Sequence, residues 1–358
     1  MVRSSATVMS FWPTRLMTLL RQSVWLVGLF LLACGSRESA VVSIALHPSN
    51  PNIVYVATND AVHKTRDGGA TWEQFPAFTA RRVTTLAIDP KLPATVYAGT
   101  MGDAIYKSPD GGQHWLPHNV GLKEHVSFIN EIIFHPDNTE LIYLATTVGA
   151  FISKNGGREW EERMAGMKEV HIVTCITMDH QHPRILYAGT TGGTYRSEDG
   201  GSSWQKKNQG LIPDDVLNAA MALGVNVMAV DPQKSEIVYA ATTKGLFRST
   251  NRGEYWEQIG QGLSNQFIST LALHPTDPDI LYVGGPDGIR KTLDGGKTWQ
   301  AQNQGLTTLN IRTISISASD PQLLYLGTNG SGLYRSTDGG QNWAPLPLTG
   351  LDHTPPRV

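Results

Sequence analysis

The sequence predicts an all-β fold built from one four-stranded unit repeated seven times, and three observations carry this prediction. A short motif ending in tryptophan occurs seven times along the 358 residues. The tryptophans are separated by 43, 45, 44, 52, 43 and 44 residues, and a tyrosine lies 17 or 18 residues ahead of each. Each copy holds four short stretches of β-branched and aromatic residues bounded by Gly, Pro, Asn or Asp, as strands usually are. Seven such units are typical of a seven-bladed β-propeller, which we expect to occupy residues 41–348.

The first stretch of each copy aligns without gaps and is expected to be the innermost strand. It opens on a β-branched residue in all seven copies, and the residues three and five positions later are apolar. The residue between those two is small in six copies and Ile133 in the third: Ala45, Ala87, Thr177, Ala229, Ala272 and Ser315. This alternation of size predicts a strand packed between neighbouring sheets near the axis.

The tryptophan motif reads Ser or Thr, any residue, Asp or Asn, any residue, Gly, two residues of any kind, then Trp. The hydroxyl and the Asp or Asn can bond backbone amides inside a hairpin turn, and Gly supplies backbone angles that other residues avoid. The tryptophan is expected to bury its ring between blades. The positions are Asp67, Asp110, Asn155, Asp199, Asn251, Asp294 and Asp338, with Trp72, Trp115, Trp160, Trp204, Trp256, Trp299 and Trp343.

This pattern resembles the Asp-box, or BNR, repeat of sialidases, xyloglucanase-like glycoside hydrolases, sortilin-type receptors and photosystem II assembly-factor propellers. The resemblance covers all seven copies and implies a structural role for the box. A Ca²⁺ site at "DGG" is the alternative, and no metal or other cofactor is predicted. The assembly factors usually complete their last blade with an initial strand, whereas here "NWAPLPL" is expected to supply the last outer strand.

The first 33 residues are expected to be a signal peptide of the lipoprotein type. Arg3, Arg15 and Arg21 precede an apolar run of ten residues, too short for a stable transmembrane helix. The run closes on "LLAC", which resembles a lipobox with Cys34 as the lipidated residue. A simple secretion signal or anchor and an unprocessed start are the alternatives. Residues 34–40 are then a linker, residues 349–358 a tail, and Cys175 the remaining free thiol. We therefore expect an exported protein, lipid-anchored to a membrane at the periplasmic or outer face of the cell envelope.

The charge distribution of the chain indicates which classes of partner it can bind. Lys and Arg total 29 against 31 for Asp and Glu, and the basic residues form no block. Nucleic acid binding needs a concentrated positive face, so no nucleic acid partner is predicted. A protein partner in a membrane or envelope complex is favoured, and a glycan is the alternative.

A binding rim is expected opposite the rim that holds the tryptophan-motif turns. Polar second residues of the innermost strands, together with charged residues nearby, are candidates for holding an acidic ligand at this rim and the channel mouth. Hydration and bonding between blades are the alternative interpretation. The candidates are Arg81, Arg82, Glu131, His171, Asn226 and Arg312.

The 52-residue spacing reflects an insertion between blades four and five. In "GLIPDDVLNAAMALG" apolar residues recur at helical spacing, with Pro and two Asp at the start and Gly at the end. This predicts a short amphipathic helix, either a lid over the ring or an element that binds a partner.

No complete catalytic constellation is present in the sequence. The sialidase-type Arg-Ile-Pro signature is absent, the repeated tyrosines are explained by packing, and no acidic pair has a defined separation. The predicted function is therefore a non-catalytic, membrane-tethered scaffold for protein binding or assembly. Carbohydrate binding or glycoside hydrolysis is the alternative, although Phe78, Phe128 and Phe267 are the only aromatic candidates for stacking on a sugar at the rim.

Overall fold

Seven antiparallel sheets of four strands each make up the described part of the chain. The computed structural model describes residues 40–75, 82–122, 128–168, 170, 172–211 and 223–348. Each sheet takes four consecutive strands in chain order, so that each repeat folds as one blade. The predicted seven-bladed β-propeller is thereby confirmed, including the last outer strand, which lies in "NWAPLPL".

The innermost strands of neighbouring blades lie side by side in a closed ring, with the first strand of the first blade beside that of the seventh. Six of them begin at the β-branched residue that the sequence indicates, whereas the sixth begins two residues later. The seven inner strands are β1 Val41–Leu46, β5 Val83–Ile88, β9 Ile129–Phe134, β13 Val173–Met178, β17 Val225–Val230, β21 Thr270–Leu273 and β25 Ile311–Ile316.

The second strand of every blade is buried along its whole length because blades pack on both of its faces. Its tyrosine pairs directly with the small residue of the inner strand, as Ala45 does with Tyr55. The small residue therefore makes room for the ring beside it, which explains the size pattern. The second strands are β2 Val54–Thr58, β6 Val96–Thr100, β10 Ile142–Thr146, β14 Leu186–Thr190, β18 Val238–Thr242, β22 Leu281–Gly285 and β26 Leu324–Thr328.

The third and fourth strands complete each blade toward the outside, and most residues of the fourth strands are exposed. The third strands are β3 Val62–Thr65, β7 Ile105–Ser108, β11 Gly149–Ser153, β15 Gly193–Ser197, β19 Gly245–Ser249, β23 Gly288–Thr292 and β27 Leu333–Ser336. The fourth strands are β4 Glu73–Phe75, β8 Leu116–Pro117, β12 Glu161–Glu162, β16 Gln205–Lys206, β20 Glu257–Ile259, β24 Gln300–Ala301 and β28 Ala344–Leu346.

The hydrophobic core is divided into seven clusters, one at each junction between adjacent blades. The cluster between blades seven and one joins Val41 and Trp72 to Tyr325 and Leu333. Five of the seven motif tryptophans are at most 4% exposed, while Trp115 and Trp299 are half-buried. Burial of apolar surface therefore stabilises contacts between blades rather than one central core.

The turn that precedes each tryptophan has the same hydrogen bonds in all seven blades. In the first blade the Thr65 hydroxyl donates to the Asp67 carboxylate at 2.7 Å and accepts the Gly69 N–H at 2.9 Å. The Asp67 carboxylate also accepts the Thr71 N–H at 2.9 Å. The Thr71 side-chain and backbone hydrogen bonds, followed by that of Thr65, hold the pKa of Asp67 well below its usual value. The Ser or Thr and the Asp or Asn thus satisfy the amides of a tight turn.

A second interaction, which the sequence analysis missed, joins this turn to the preceding blade. A Lys or Arg directly before the motif Ser or Thr reaches the next blade and donates to the carbonyl at the first-glycine position of the turn; Lys64 does so at 2.7 Å to Gly111. The Tyr55 hydroxyl donates to the same carbonyl at 3.0 Å. The acceptor position is a glycine in five of the six cases and Arg252 in the fifth blade. Six blades have this cation, and its position in the third blade is taken by Ile152. The cations are Lys64, Lys107, Arg196, Arg248, Lys291 and Arg335.

Several predictions fall on residues outside the described part of the chain. These are the signal peptide with Cys34, most of the insertion helix (residues 212–222) and the tail. Among the described residues, no helix has the length and apolar character needed to cross a bilayer.

Candidate binding face and central channel

The two rims of the propeller are distinguished by the loops that they hold. On one rim the motif turn lies against the "HPxxP"-type turn of its own blade, as the Gly68 N–H donates to the Asn52 carbonyl at 2.9 Å. On the other rim, which we call the upper rim, loops from second to third strands contact the segments that enter the inner strands. The Met101 N–H donates there to the Arg82 carbonyl at 2.8 Å. This arrangement of loops is the one that the sequence predicts.

The upper rim is built from tight loops that close on themselves. The threonine at the end of the second strand donates its hydroxyl to a backbone carbonyl three or four residues later. Six blades share this bond: Thr58, Thr100, Thr146, Thr190, Thr242 and Thr328. These six loops between second and third strands are therefore held internally, and they form the described part of the rim together with the described residues that enter the inner strands. Its exposed charges have both signs, with Arg82 and Lys244 basic and Asp103 and Asp287 acidic.

The second residues of the inner strands form a set of bonds between blades around the axis. In six blades this residue lies where the pairing with the second strand skips a residue, as between Val83 and Thr85, whereas Ser269 of the sixth blade directly precedes β21. Its side chain donates to the carbonyl of the first residue aligned in the next inner strand, as Asn130 does to Val173 at 2.7 Å. Five residues make this bond: Thr84, Asn130, Thr174, Asn226 and Ser269. The alternative interpretation of these residues, bonding between blades, is therefore observed.

This ring of bonds is interrupted in the sector of blades seven, one and two. The equivalent position in the first blade is Val42, which has no side-chain donor, and in the seventh it is Arg312. The Nη1 atom of Arg312 is enclosed by protein and has no hydrogen-bond partner. Burial lowers the pKa of Arg312. A buried guanidinium nitrogen without an acceptor is energetically unfavourable.

At the next aligned position, three blades have side chains that accept hydrogen bonds from the following blade instead of donating them. The side chains of Ser43, Glu131 and Thr270 each accept a backbone N–H of the next blade, at 3.0, 2.8 and 3.2 Å. Glu131 is the ionisable member of this group. Burial raises its pKa to about 7, opposed by the hydrogen bond from the Ile176 N–H.

The residues predicted as a binding rim do not form one cluster. Arg82 is exposed on the upper rim, whereas Glu131 and Asn226 bond to neighbouring blades beside the channel. Arg312 occupies the interrupted position of the ring. Arg81 and His171 lie outside the described residues. A binding role for the predicted set stays a prediction.

A cleft on the sixth blade was not predicted. It is a shallow groove, open to solvent, and is lined by Gln266, Phe267, Asp287 and Arg290. The loop here ends the second strand with Gly285 where the other blades have threonine. A Cβ on Gly285 would lie 2.4 Å from the Phe267 carbonyl oxygen, so only glycine allows this close approach. The sequence signal that could have indicated this cleft was glycine in place of threonine at position 285.

No group of three or more His, Cys, Asp and Glu side chains that could hold a metal ion occurs among the described residues. The carboxylates of the motif turns are occupied by hydroxyl and amide donors instead.

Comparison with known families identifies the repeat. The family described as BNR/Asp-box repeat matches residues 334–345, which hold the seventh motif, and the other six blades repeat its hydrogen bonds. The chain is a seven-bladed Asp-box propeller. The family described as Sortilin, neurotensin receptor 3, also matches this Asp-box propeller over residues 60–191.

Two curated fungal proteins are similar to part of the Asp-box propeller. A probable oligoxyloglucan-reducing end-specific xyloglucanase of Neosartorya fischeri is 30% identical over 141 residues, and its counterpart in Emericella nidulans is 27% identical over 138 residues. Each match covers 33% of this chain and 17% of the relative. The chain therefore matches about a sixth of the length of these proteins.

Solved structures share the fold at low identity. The GH74 xyloglucanase from Xanthomonas campestris has a TM-score of 0.59 at 17% identity, covering 87% of this chain and 61% of that one. YCF48 bound to D1 peptide has a TM-score of 0.60 at 18% identity, covering 84% and 93%. YCF48 from Cyanidioschyzon merolae has a TM-score of 0.61 at 18% identity, covering 84% and 96%.

Proposed function

We propose that this Asp-box propeller is a non-catalytic scaffold that binds a protein through its upper rim. The observation that carries this proposal is the construction of that rim from loops that their own threonines hold closed. Six loops held in place by their own hydrogen bonds, beside exposed charges of both signs, fit the broad contact of a protein partner better than they fit a small molecule, which needs a concave site.

The repeated residues have structural tasks, which supports a non-catalytic role. The hydroxyls of Tyr55, Tyr97 and Tyr282 donate to glycine carbonyls of the next blade at 2.8–3.0 Å. Burial raises the pKa of Tyr55 and of Tyr282 to about 12, so neither is poised as a nucleophile. The Asp-box carboxylates are likewise saturated with donors and are poor candidates for general acids.

The comparison with YCF48 supports a protein partner. That propeller covers nearly the same length as this one, and its structure includes a D1 peptide. At 18% identity the likeness shows the fold alone, so the partner of this chain is left to experiment.

The proposal is tested by quantitative cross-linking and capture from solubilised envelope membranes. The upper-rim double variant Arg82→Glu and Lys244→Glu is compared with Arg66→Glu and Lys297→Glu on the Asp-box rim. All four residues are exposed, so both variants change the net charge equally without disturbing the core. We expect only the upper-rim variant to lose its specific partners. Equal loss in both variants, or in neither, would remove the assignment of the binding face.

We further propose that the protein is exported and tethered to a membrane by a lipid on Cys34. The apolar run before "LLAC" supports this, although these residues lie outside the described structure. Cys34→Ala should move the protein from the membrane to the soluble fraction and abolish labelling by a fatty-acid probe. A variant that stays membrane-bound would contradict lipid anchoring.

Carbohydrate binding is the second candidate, favoured by the cleft on the sixth blade. Phe267 supplies an aromatic ring there, while Gln266, Asp287 and Arg290 supply polar groups for sugar hydroxyls. The curated relatives are named as xyloglucanases. Binding of xyloglucan oligosaccharides that Phe267→Ala abolishes would favour this function, and release of reducing sugar would make it enzymatic.

A further inference from the structure

Arg312 occupies a position at which five other blades place a small hydrogen-bond donor. In those blades the side chain closes the junction by donating to the next inner strand, as Thr84 does to the Ile129 carbonyl. In the seventh blade the next inner strand is β1, whose aligned first residue is Val41. Arg312 makes no such bond, and its Nη1 is enclosed without a partner. The substitution therefore places a cation where the fold uses a neutral donor.

The surroundings of Arg312 provide no counter-charge. Val42 is the equivalent residue of the adjoining blade, and its side chain is aliphatic. No ion pair with the half-buried Arg312 occurs among the described residues, although the exposed Lys154 and the buried Arg196 both have carboxylate partners. Buried cations in proteins are usually paired, because an unpaired charge keeps its full desolvation penalty.

We propose that Arg312 forms a binding site for a small oxyanion, a carboxylate or a phosphate, beside the central channel at the junction of blades seven and one. The guanidinium group is a planar fork that matches two oxygens of such an anion. The anion would bind the part of the half-buried guanidinium group that is not enclosed, and it would neutralise the cation at the interrupted position of the ring. This inference concerns the channel and does not depend on which partner binds the upper rim.

Because the site is assembled from the closed ring, an anion that binds it must stabilise the folded protein by mass action. The stabilisation should saturate with anion concentration, which distinguishes binding from a general salt effect. It should also require the guanidinium group.

The test measures the Tm of the processed full-length chain in sodium chloride, sodium acetate and sodium phosphate at equal ionic strength, with isothermal titration of acetate and phosphate as a direct readout. Arg312→Thr recreates the donor of blades two and four, so this variant should fold and bond to β1. Arg158→Ala is the matched control, because it removes an exposed arginine that has no proposed binding role.

For the wild type and Arg158→Ala, we expect a saturable rise in Tm of about 3 °C and a measurable heat of binding with at least one anion. Arg312→Thr should match or exceed the wild-type Tm in chloride and show neither response. A response to acetate alone identifies the ligand as a carboxylate, and a response to phosphate alone identifies a phosphate. The absence of any response in the wild type, or a full response in Arg312→Thr, would overturn the proposal.

Discussion

The seventh blade meets its two neighbours through different sets of hydrogen bonds. Toward blade six, Ser269 and Thr270 bond to the inner strand of blade seven, while Trp343 donates its Nε1 to the Gln302 carbonyl at 2.8 Å. Lys291 donates to the Gly339 carbonyl, also at 2.8 Å. The junction of blades six and seven is thus bonded at the axis, in the middle and at the outer edge.

The junction of blades seven and one keeps only part of this set. Arg335 donates to the Gly68 carbonyl at 2.6 Å, and Ser315 donates to the Ile44 carbonyl at 3.1 Å. At the axis Arg312 replaces the small donor, and at the outer edge the Nε1 of Trp72 is buried without a partner. The closing junction therefore depends more on apolar packing than the junction beside it.

The difference matters because the two junctions form by different routes. Blades six and seven are consecutive in sequence, so they dock with a short loop closure. Blades seven and one are joined only through the rest of the ring, and the entropy of closure is larger for such distant segments. With fewer hydrogen bonds and a larger closure entropy, the closing junction should be the first to open locally.

The largest effect is expected from adding a methyl group at equivalent glycines of the two junctions. A Cβ at Gly327 would lie 2.5 Å from Val41 Cγ1, and one at Gly284 would lie 2.6 Å from Ile311 Cγ2. Each alanine variant should lose about 2–3 kcal/mol of unfolding free energy in urea. Gly327→Ala should also speed hydrogen exchange of the β1 amides selectively. Identical exchange profiles for the two variants would contradict the weaker closing junction.

The next largest effect is a difference in unfolding free energy between variants of the two tryptophans that pack at these junctions. Trp343→Phe removes a hydrogen bond and leaves the Gln302 carbonyl without its donor, whereas Trp72→Phe removes a buried donor that has no partner. Urea unfolding should show Trp343→Phe to be less stable than Trp72→Phe by about 1.5 kcal/mol. Equal losses would mean that both indoles are equally well satisfied.

The third prediction extends the comparison to the junction of blades three and four, where Glu131 takes the place that Thr270 has between blades six and seven. Because the pKa of Glu131 is raised to about 7, the folded state binds the proton more tightly than the unfolded state. Its contribution to stability is full below about pH 4.5 and is lost as pH rises through about 7. The full shift would correspond to about 2–3 kcal/mol between pH 5 and 8, but Glu131 is half-buried and solvent screens part of it. Glu131→Gln should therefore flatten the dependence by about 1 kcal/mol in urea titrations. An unchanged slope would contradict the assignment.

The smallest effect is a gain in stability at the junction of blades one and two. Val42→Thr supplies the donor that the ring lacks there, facing the Val83 carbonyl as Thr84 faces that of Ile129. We expect the unfolding free energy to rise by about 0.5 kcal/mol relative to wild type. Val42→Ala is the control for lost packing, and a threonine variant no more stable than the alanine variant would show that the bond does not form.

The fold was predictable because its signals are local and repeated. The motif turn brings its own hydroxyl, carboxylate and glycine together within eight residues, so its hydrogen bonds follow from spacing. Bonds between blades were harder to predict, because Lys64 and its acceptor Gly111 are 47 residues apart. The cation before each motif was visible in the sequence, but its partner became clear only when neighbouring blades were in place.

The candidate sites were predictable to a smaller extent. The sequence singled out the second residues of the inner strands, yet Asn226 and Arg312 differ in function because one has a carbonyl within reach and the other does not. The cleft on the sixth blade was missed because it depends on the absence of a side chain at Gly285. Single departures from a repeat are difficult to interpret before the packing is known.

One glycine carbonyl can accept hydrogen bonds from both a tyrosine and a cation of the preceding blade, as Gly111 does from Tyr55 and Lys64. This contact affects how such a chain can gain or lose repeats. Four repeats, those of blades one, two, six and seven, carry both donors at one side and offer a glycine carbonyl at the other, so a duplicated or transplanted copy of one of them brings compatible surfaces with it. In the middle of the chain the pair is incomplete: Tyr143 bonds alone in the third blade, and in the fourth blade the Tyr187 hydroxyl is buried without a partner. Recombination between these blades would lose the least, which makes this part of the chain the natural place to exchange halves of the molecule.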